Sequence, residues 1–414
     1  MREPRYCDCG PGSIHCRCEA CARVGVGCHL SIGLCLATRR RGLGYGGTGR
    51  RRRRRLGRWL DRLGAATRRA IALARPADLA YGDPRGTRHL RTQIAETLAA
   101  NRGIRCDPDC IIVVTGTQHG LRLCADALLT PGDTAWFEDP GYNVSRATLT
   151  AAGMTLAPVS VDAAGLDVAA GIASAPDARA VYVTPSHQFP TGVRMEMTRR
   201  AVLIDWAEAT GAWVFEDDYD SEFRYSGPPL TALAGLSPNR VIYLGTFAKT
   251  LFPGLRLGYI VVPPDALERV LRARPALDRF QPAFLQNAVA DLLADGTVAT
   301  HLRRNLRRYR GARDLVAHCI VETSEGRLSP DVPEHGLHLI AWLPTGATTA
   351  TAAEIRGVAG VETLLVSETR MQQGEREGFV LGFSGHAPED LRIAATALGR
   401  AALSALSSTS AGPS

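Results

Sequence analysis

The sequence predicts an α/β protein. A large domain on a mostly parallel sheet is expected at about residues 80–290, with a smaller α+β C-terminal domain at about 290–406. Two observations lead there. Short runs rich in β-branched and apolar residues, among them Ile111-Ile112-Val113-Val114, Ala180-Val181-Tyr182-Val183 and Val241-Ile242-Tyr243-Leu244, each end in a loop of small or polar residues. Segments with helical spacing of apolar residues lie among them, and the last third alternates short strands (337–342, 378–383) with helices (352–356, 389–406).

Composition narrows the class. Of 414 residues 45% are hydrophobic, ordinary for a globular chain of this length. No apolar run approaches the roughly 18–20 residues of a membrane span, and the start lacks the clean apolar core of a signal peptide, so the cytoplasm is the expected compartment. Charge is uneven. Residues 1–75 hold 18 arginines and 4 acidic residues, a surplus of +14; since the whole chain is +8, the remainder carries −6. Basicity is therefore a property of one end.

Taken in order, residues 1–55 are an atypical Cys- and Arg-rich segment, and disorder is the expectation. Seven of the 11 cysteines fall here, followed by Arg39-Arg40-Arg41 and an arginine run from Arg50 to Arg55, without sustained periodicity. Cys16, Cys18, Cys21 and Cys28 with His15 or His29 offer zinc ligands at irregular spacing. The arginine run offers contacts to nucleic-acid phosphates, and a leader without a role is the third reading. No pair of amphipathic helices joined by a short turn is found there. From residue 56, Leu56, Trp59, Leu60, Leu63, Ala66 and Ile71 recur near helical spacing. A turn-rich Tyr81-Gly82-Asp83-Pro84-Arg85-Gly86 and a helix over 90–99 follow, and 407–414 is a tail.

The loops after the strands carry the chemistry. Ile111–Val114 runs into Thr115-Gly116-Thr117-Gln118-His119-Gly120 and then a helix over 121–129. Small residues entering a helix N-terminus present free N–H groups and the positive end of its dipole, so Gly116, Thr117 and Gln118 are candidates to hold a phosphate. The strand over 134–137 ends in Glu138-Asp139-Pro140-Gly141-Tyr142. The strand after Ala180 ends in Pro185-Ser186-His187-Gln188-Phe189-Pro190-Thr191-Gly192, and Trp213-Val214-Phe215 ends in Glu216-Asp217-Asp218-Tyr219-Asp220. Such acids are costly to bury without a cation. A Mg²⁺ site is one reading of them, though nothing else in the chain suggests a nucleotide; no metal is expected.

Lys249 is the only lysine in the chain, in Gly245-Thr246-Phe247-Ala248-Lys249-Thr250-Leu251-Phe252-Pro253-Gly254-Leu255-Arg256. Arginine keeps its proton at any accessible pH, whereas a desolvated lysine is an amine nucleophile that condenses with an aldehyde. The loop leaves the C-terminal end of a strand, where open α/β sheets bind ligands. Helices are expected over 266–274 and 282–310.

This run resembles the lysine motif of fold-type-I aminotransferases that use pyridoxal 5′-phosphate, and Ser186-His187-Gln188-Phe189-Pro190 resembles the aminotransferase-like domain of MocR-type (GntR-family) regulators. The resemblance covers roughly residues 56–405. It implies that Lys249 forms the Schiff base, that Thr246 and Arg256 bind the cofactor phosphate, and that Tyr142 stacks on the ring. Asp217, with Asp218 as the alternative, would pair with the ring nitrogen, and Tyr219 with the phenolic oxygen. The Asn usual before Pro-Thr-Gly is Phe189 here, so His187 or Gln188 would replace its hydrogen bond. Tyr81 would reach a partner's cofactor in a homodimer. Phe379-Val380-Leu381-Gly382-Phe383 has Val380 where many aminotransferases clamp the substrate carboxylate with arginine. The expected function is a cofactor-dependent aminotransferase acting on an amino acid or other amine. The alternative is the ligand-sensing domain of a regulator, with DNA as partner only if a DNA-binding domain lies upstream.

Overall fold

The structure, a computed structural model, describes residues 49–227 and 230–408. The expectations placed on residues 1–48, including the zinc ligands and the missing helix-turn-helix, lie outside the described residues. Helix Gly49–Ala72 runs back over the arginine run, which had been expected to be irregular; arginine is a strong helix former. Trp59, Leu63 and Ala66 are buried against helix Ala283–Ala294, while Leu60 and Ile71 face outward.

Eight strands form the large sheet: β1 Ile111–Val114, β2 Thr134–Asp139, β3 Thr155–Asp162, β4 Gly165–Leu166, β5 Ala180–Val183, β6 Trp213–Asp218, β7 Val241–Thr246 and β8 Gly258–Val261. Their order is β1-β8-β7-β6-β5-β2-β3-β4. The strands β7, β6, β5, β2 and β3 pair in parallel, while β8 runs antiparallel to both β7 and β1 and β4 antiparallel to β3. Helices cover both faces, so strands such as β1, β5 and β7 are buried along their whole length. Register positions the site: Asp217 lies opposite Leu244 and Asp218 opposite Gly245, which sets the β6 acids beside the loop carrying Lys249.

A second, antiparallel sheet has the order β11-β12-β10-β9, from β9 Ser329–Asp331, β10 His338–Trp342, β11 Leu364–Leu365 and β12 Gly378–Gly382. Helices Thr297–Thr323, Thr349–Ala359 and Pro388–Ser408 pack with it around a separate core that includes Ile320, Leu339, Phe379, Leu381 and Leu398. The helix expected over 282–310 is two helices. It breaks at Asp295-Gly296, where Gly296 takes φ 74°, a left-handed conformation that glycine adopts without a Cβ penalty. The lobes are clasped at the mouth of the large sheet: the Asp139 carboxylate accepts from the N–H groups of Met371 (2.8 Å) and Gln372 (2.9 Å).

Candidate functional site

Lys249 follows β7 and is half-buried. Desolvation pushes its amine below the usual lysine range, and the carboxylates of Asp220 and Asp217 pull the other way.

Asp217 and Asp218 are adjacent in sequence but point to opposite faces of β6, and they differ in partners. Asp218 is neutralised: its Oδ2 lies 2.8 Å from Arg102 Nε and accepts hydrogen bonds from Tyr243 (2.7 Å) and Ser221 (2.8 Å). Asp217 accepts one hydrogen bond at Oδ2, from Tyr182 at 2.6 Å; the Tyr182 hydroxyl in turn accepts from Ser145 at 2.9 Å. Asp217 Oδ1 is buried and has no hydrogen-bond partner in the structure. Burial, with Asp218 and Asp220 nearby, pushes the Asp217 carboxyl up to about 7. A buried acceptor of this kind is costly unless a donor, best a cationic one, fills it.

The loop after β5 also resolves an ambiguity. Gln188 is fully committed: its amide nitrogen donates to the carbonyl oxygens of Pro140 (2.8 Å) and Phe189 (2.7 Å), and its oxygen accepts from Thr191. His187 Nδ1 lies 3.0 Å from Asp220 Oδ2, and its Nε2 is buried without a partner. The Tyr219 hydroxyl donates to the His187 carbonyl at 2.9 Å, and burial lifts that phenol well above its ordinary range. Tyr142 packs edge-on to Phe189, ring centroids 5.4 Å apart.

Gly116 is the N-cap of helix Thr117–Leu128, with φ 144°, and no side chain caps the helix. The first-turn N–H groups at Thr117 and Gln118 are thus left for an anion. Two glycines allow the close packing this requires: a Cβ on Gly120 would run into Ile260, and one on Gly258 into Gly116 itself. Thr246 is buried and its hydroxyl accepts from the Ala248 N–H at 3.1 Å. Arg256 stands exposed in a left-handed turn (φ 50°, ψ 46°); burial depresses His119 in that first helical turn, and the charges of Arg274 and Arg256 add to it. Tyr81 is the one candidate that stands apart: it is 79% exposed and packs on Phe280 and under Arg279. Tyr182, Ser145 and Arg102 were not foreseen. Tyr182 reads as a core aromatic within a strand run, and Arg102 is 116 residues before the acid it neutralises, with no local signal linking them.

The profile of the family described as aminotransferase class I and II matches residues 58–398. The chain belongs to that family. It is 38% identical over 334 residues to a probable rhizopine catabolism regulatory protein of Rhizobium meliloti, covering 80% of this chain and 66% of that protein. It is 33% identical over 314 residues to an HTH-type pyridoxine biosynthesis transcriptional regulator of Corynebacterium glutamicum, covering 75% of this chain and 67% of that one. The chain thus spans about two thirds of the length of these relatives. Among solved structures, the α-aminoadipate aminotransferase of Thermus thermophilus, complexed with N-(5′-phosphopyridoxyl)-L-leucine, superimposes with a TM-score of 0.75 at 25% identity, over 84% of this chain and 89% of that one.

The aminotransferase family implies pyridoxal phosphate, and the residues present fit it. The unpartnered Asp217 Oδ1 suits a protonated ring nitrogen, the uncapped helix start suits a phosphate, and Lys249 lies close enough to sense the Asp217 charge. Among the described residues, no helix is long and apolar enough to cross a membrane.

Proposed function

We propose that the chain is a pyridoxal-phosphate-dependent, amine-recognising domain whose cofactor is held at Lys249. The observation that carries this is the juxtaposition of the only lysine, desolvated, with Asp217, whose second oxygen is buried and unpartnered. Bound pyridoxal phosphate supplies an aldehyde that condenses with amines and a ring that takes up electrons released at the amine-bearing carbon. Lys249, its proton weakened by burial, serves as the amine that holds the aldehyde carbon and then as the base that moves a proton at the substrate carbon. Asp217 keeps the proton on the ring nitrogen, and Tyr182 and Ser145 hold Asp217 in place. Gly116, Thr117 and Gln118, with Thr246 and Arg256, hold the phosphate. Tyr142 confines the ring, and Tyr219 with His187 faces the phenolic oxygen. Tyr81, exposed on the surface, fits a role across a homodimer.

Whether the amine is turned over or only sensed divides this reading in two. The similarity to the two regulators favours the sensor, and the similarity to the aminotransferase favours turnover. A visible absorption spectrum of the purified protein supplied with pyridoxal phosphate tests both, with Lys249→Ala alongside. A yellow band in the parent, lost or altered in the variant, is expected. Conversion to the pyridoxamine form by an amine identifies an aminotransferase, and a stable shifted band identifies a sensor. A parent that stays colourless overturns the proposal.

A further inference from the structure

Two arginine-rich helices take no part in the site at Lys249, yet the fold brings them together. Residues 76–414 carry a net −6, and within that acidic body helix Thr297–Thr323 holds six arginines and two acids. Its inward face buries Val298, Ala312, Val316 and Ile320. Arg303, Arg307 and Arg310 recur at spacings of four and three, so they share the outward face with Arg304 beside them, and all four are exposed. Arg313 pairs with Asp314 at 2.7 Å. Among the described residues, no carboxylate lies within ion-pair distance of the other four; Arg303 reaches only the Thr300 hydroxyl, at 3.1 Å. From Arg303 to Arg310 the stripe runs about 10 Å along the helix.

Helix Gly49–Ala72, with ten arginines and one acid, touches the start of that helix. The Trp59 ring lies 4.9 Å from the His301 ring, and Arg62 donates to Thr297 Oγ1 at 2.9 Å. The later residue of one helix thus meets the earlier residue of the other, so the two run in opposite senses. The first turns of helix Gly49–Ala72, which hold Arg50 to Arg55, therefore leave the contact toward the same end as Arg303 to Arg310. Burial lowers His301 where the helices meet, and the charges of Arg304 and Arg308 add to it. Cations gathered without counter-charges repel one another and favour a partner that supplies many anions together. What accompanies them narrows the partner. Leu302, Leu306 and Tyr309 are half-buried and packed against the cores, so no exposed apolar or aromatic side chain interleaves with the stripe. Single strands are held by stacking on aromatics, and membrane surfaces by inserted apolar groups; this face offers neither. A duplex presents regular phosphates, and B-form DNA has a groove wide enough for an α-helix, which A-form RNA lacks.

We propose that this arginine surface binds the phosphate backbone of double-stranded DNA, without reading its sequence. The full chain is titrated into a fluorescently labelled duplex of about 20 base pairs, and anisotropy is followed between about 50 and about 200 mM salt. The same titration is made with a variant carrying Arg303→Gln, Arg307→Gln and Arg310→Gln. The variant is expected to bind about tenfold or more weakly, and its plot of log affinity against log salt to be flatter by about 2–3, close to one phosphate contact for each arginine. Lysine at the same three positions should restore most of the affinity, and a duplex of shuffled sequence should bind the parent equally well. The three side chains are exposed, so the urea unfolding midpoint should not move. Should the triple variant misfold, Arg307→Gln alone decides, with a slope flatter by about 1. A glutamine variant that binds as tightly as the parent overturns the inference, because arginines elsewhere in the chain then carry the binding. Single-stranded DNA, duplex RNA or phosphatidylserine vesicles held more tightly than the duplex overturn it as well. None of these outcomes touches the reading of Lys249.

Discussion

Asp217→Asn separates the demands of folding from those of the site. In the cofactor-free chain the Asp217 carboxyl is raised from 3.8 to about 7, so the native state binds more protons than the unfolded chain across that interval. Stability consequently falls as pH rises from about 4 to about 7. The shift is about 3 units at 1.36 kcal/mol each, so ionised Asp217 costs the folded chain about 4 kcal/mol above pH 8 and about 1.5 kcal/mol at pH 5. Asparagine keeps an oxygen for the Tyr182 hydroxyl and carries no charge. Urea denaturation of the cofactor-free variant against the parent should show a gain of about 4 kcal/mol at pH 8.5, shrinking by more than half at pH 5. Cofactor affinity should move the opposite way, because the ring nitrogen loses its counter-charge. A gain that is the same at both pH values, or no gain at pH 8.5, would falsify the assignment of a desolvated, proton-hungry carboxylate to this position.

The neighbouring acid should respond in the opposite sense. Arg102→Met leaves Asp218 buried beside Tyr243 without its cation and is expected to cost about 3–5 kcal/mol in denaturant titrations. Adding Asp218→Asn to that variant should recover most of the loss; equal stability of single and double variants would refute the ion-pair argument. At Gly336 a methyl group would overlap the His187 ring, and φ is 79°, so Gly336→Ala should lower stability by about 2–4 kcal/mol in thermal or urea unfolding. Unchanged stability there would mean that His187 is free to move.

What the sequence determined by itself is what depends on local patterning. β-branched runs gave the strands, apolar spacing gave most helices, and glycine before a helix marked the uncapped helix start at Gly116. Lys249 was legible because arginine had displaced lysine everywhere else, so its chemistry did not need a partner to be recognised. Even so, the break at Gly296 and the helical arginine run were missed, since a glycine inside a helical pattern and a charge run without apolar spacing are both ambiguous in one dimension.

Tertiary structure decided the questions in which adjacent residues of like chemistry compete. Asp217 and Asp218 are indistinguishable in the sequence. Strand alternation sends them to opposite faces of β6, and Arg102, from a helix more than a hundred residues earlier, neutralises only one. His187 and Gln188 divide in the same way: Gln188 is used up by backbone carbonyls of its own and a neighbouring loop, while His187 is turned by Asp220 so that one nitrogen stays bare. Ionisation and hydrogen bonding are set by distance and burial, and for these side chains both come from segments far apart in the chain.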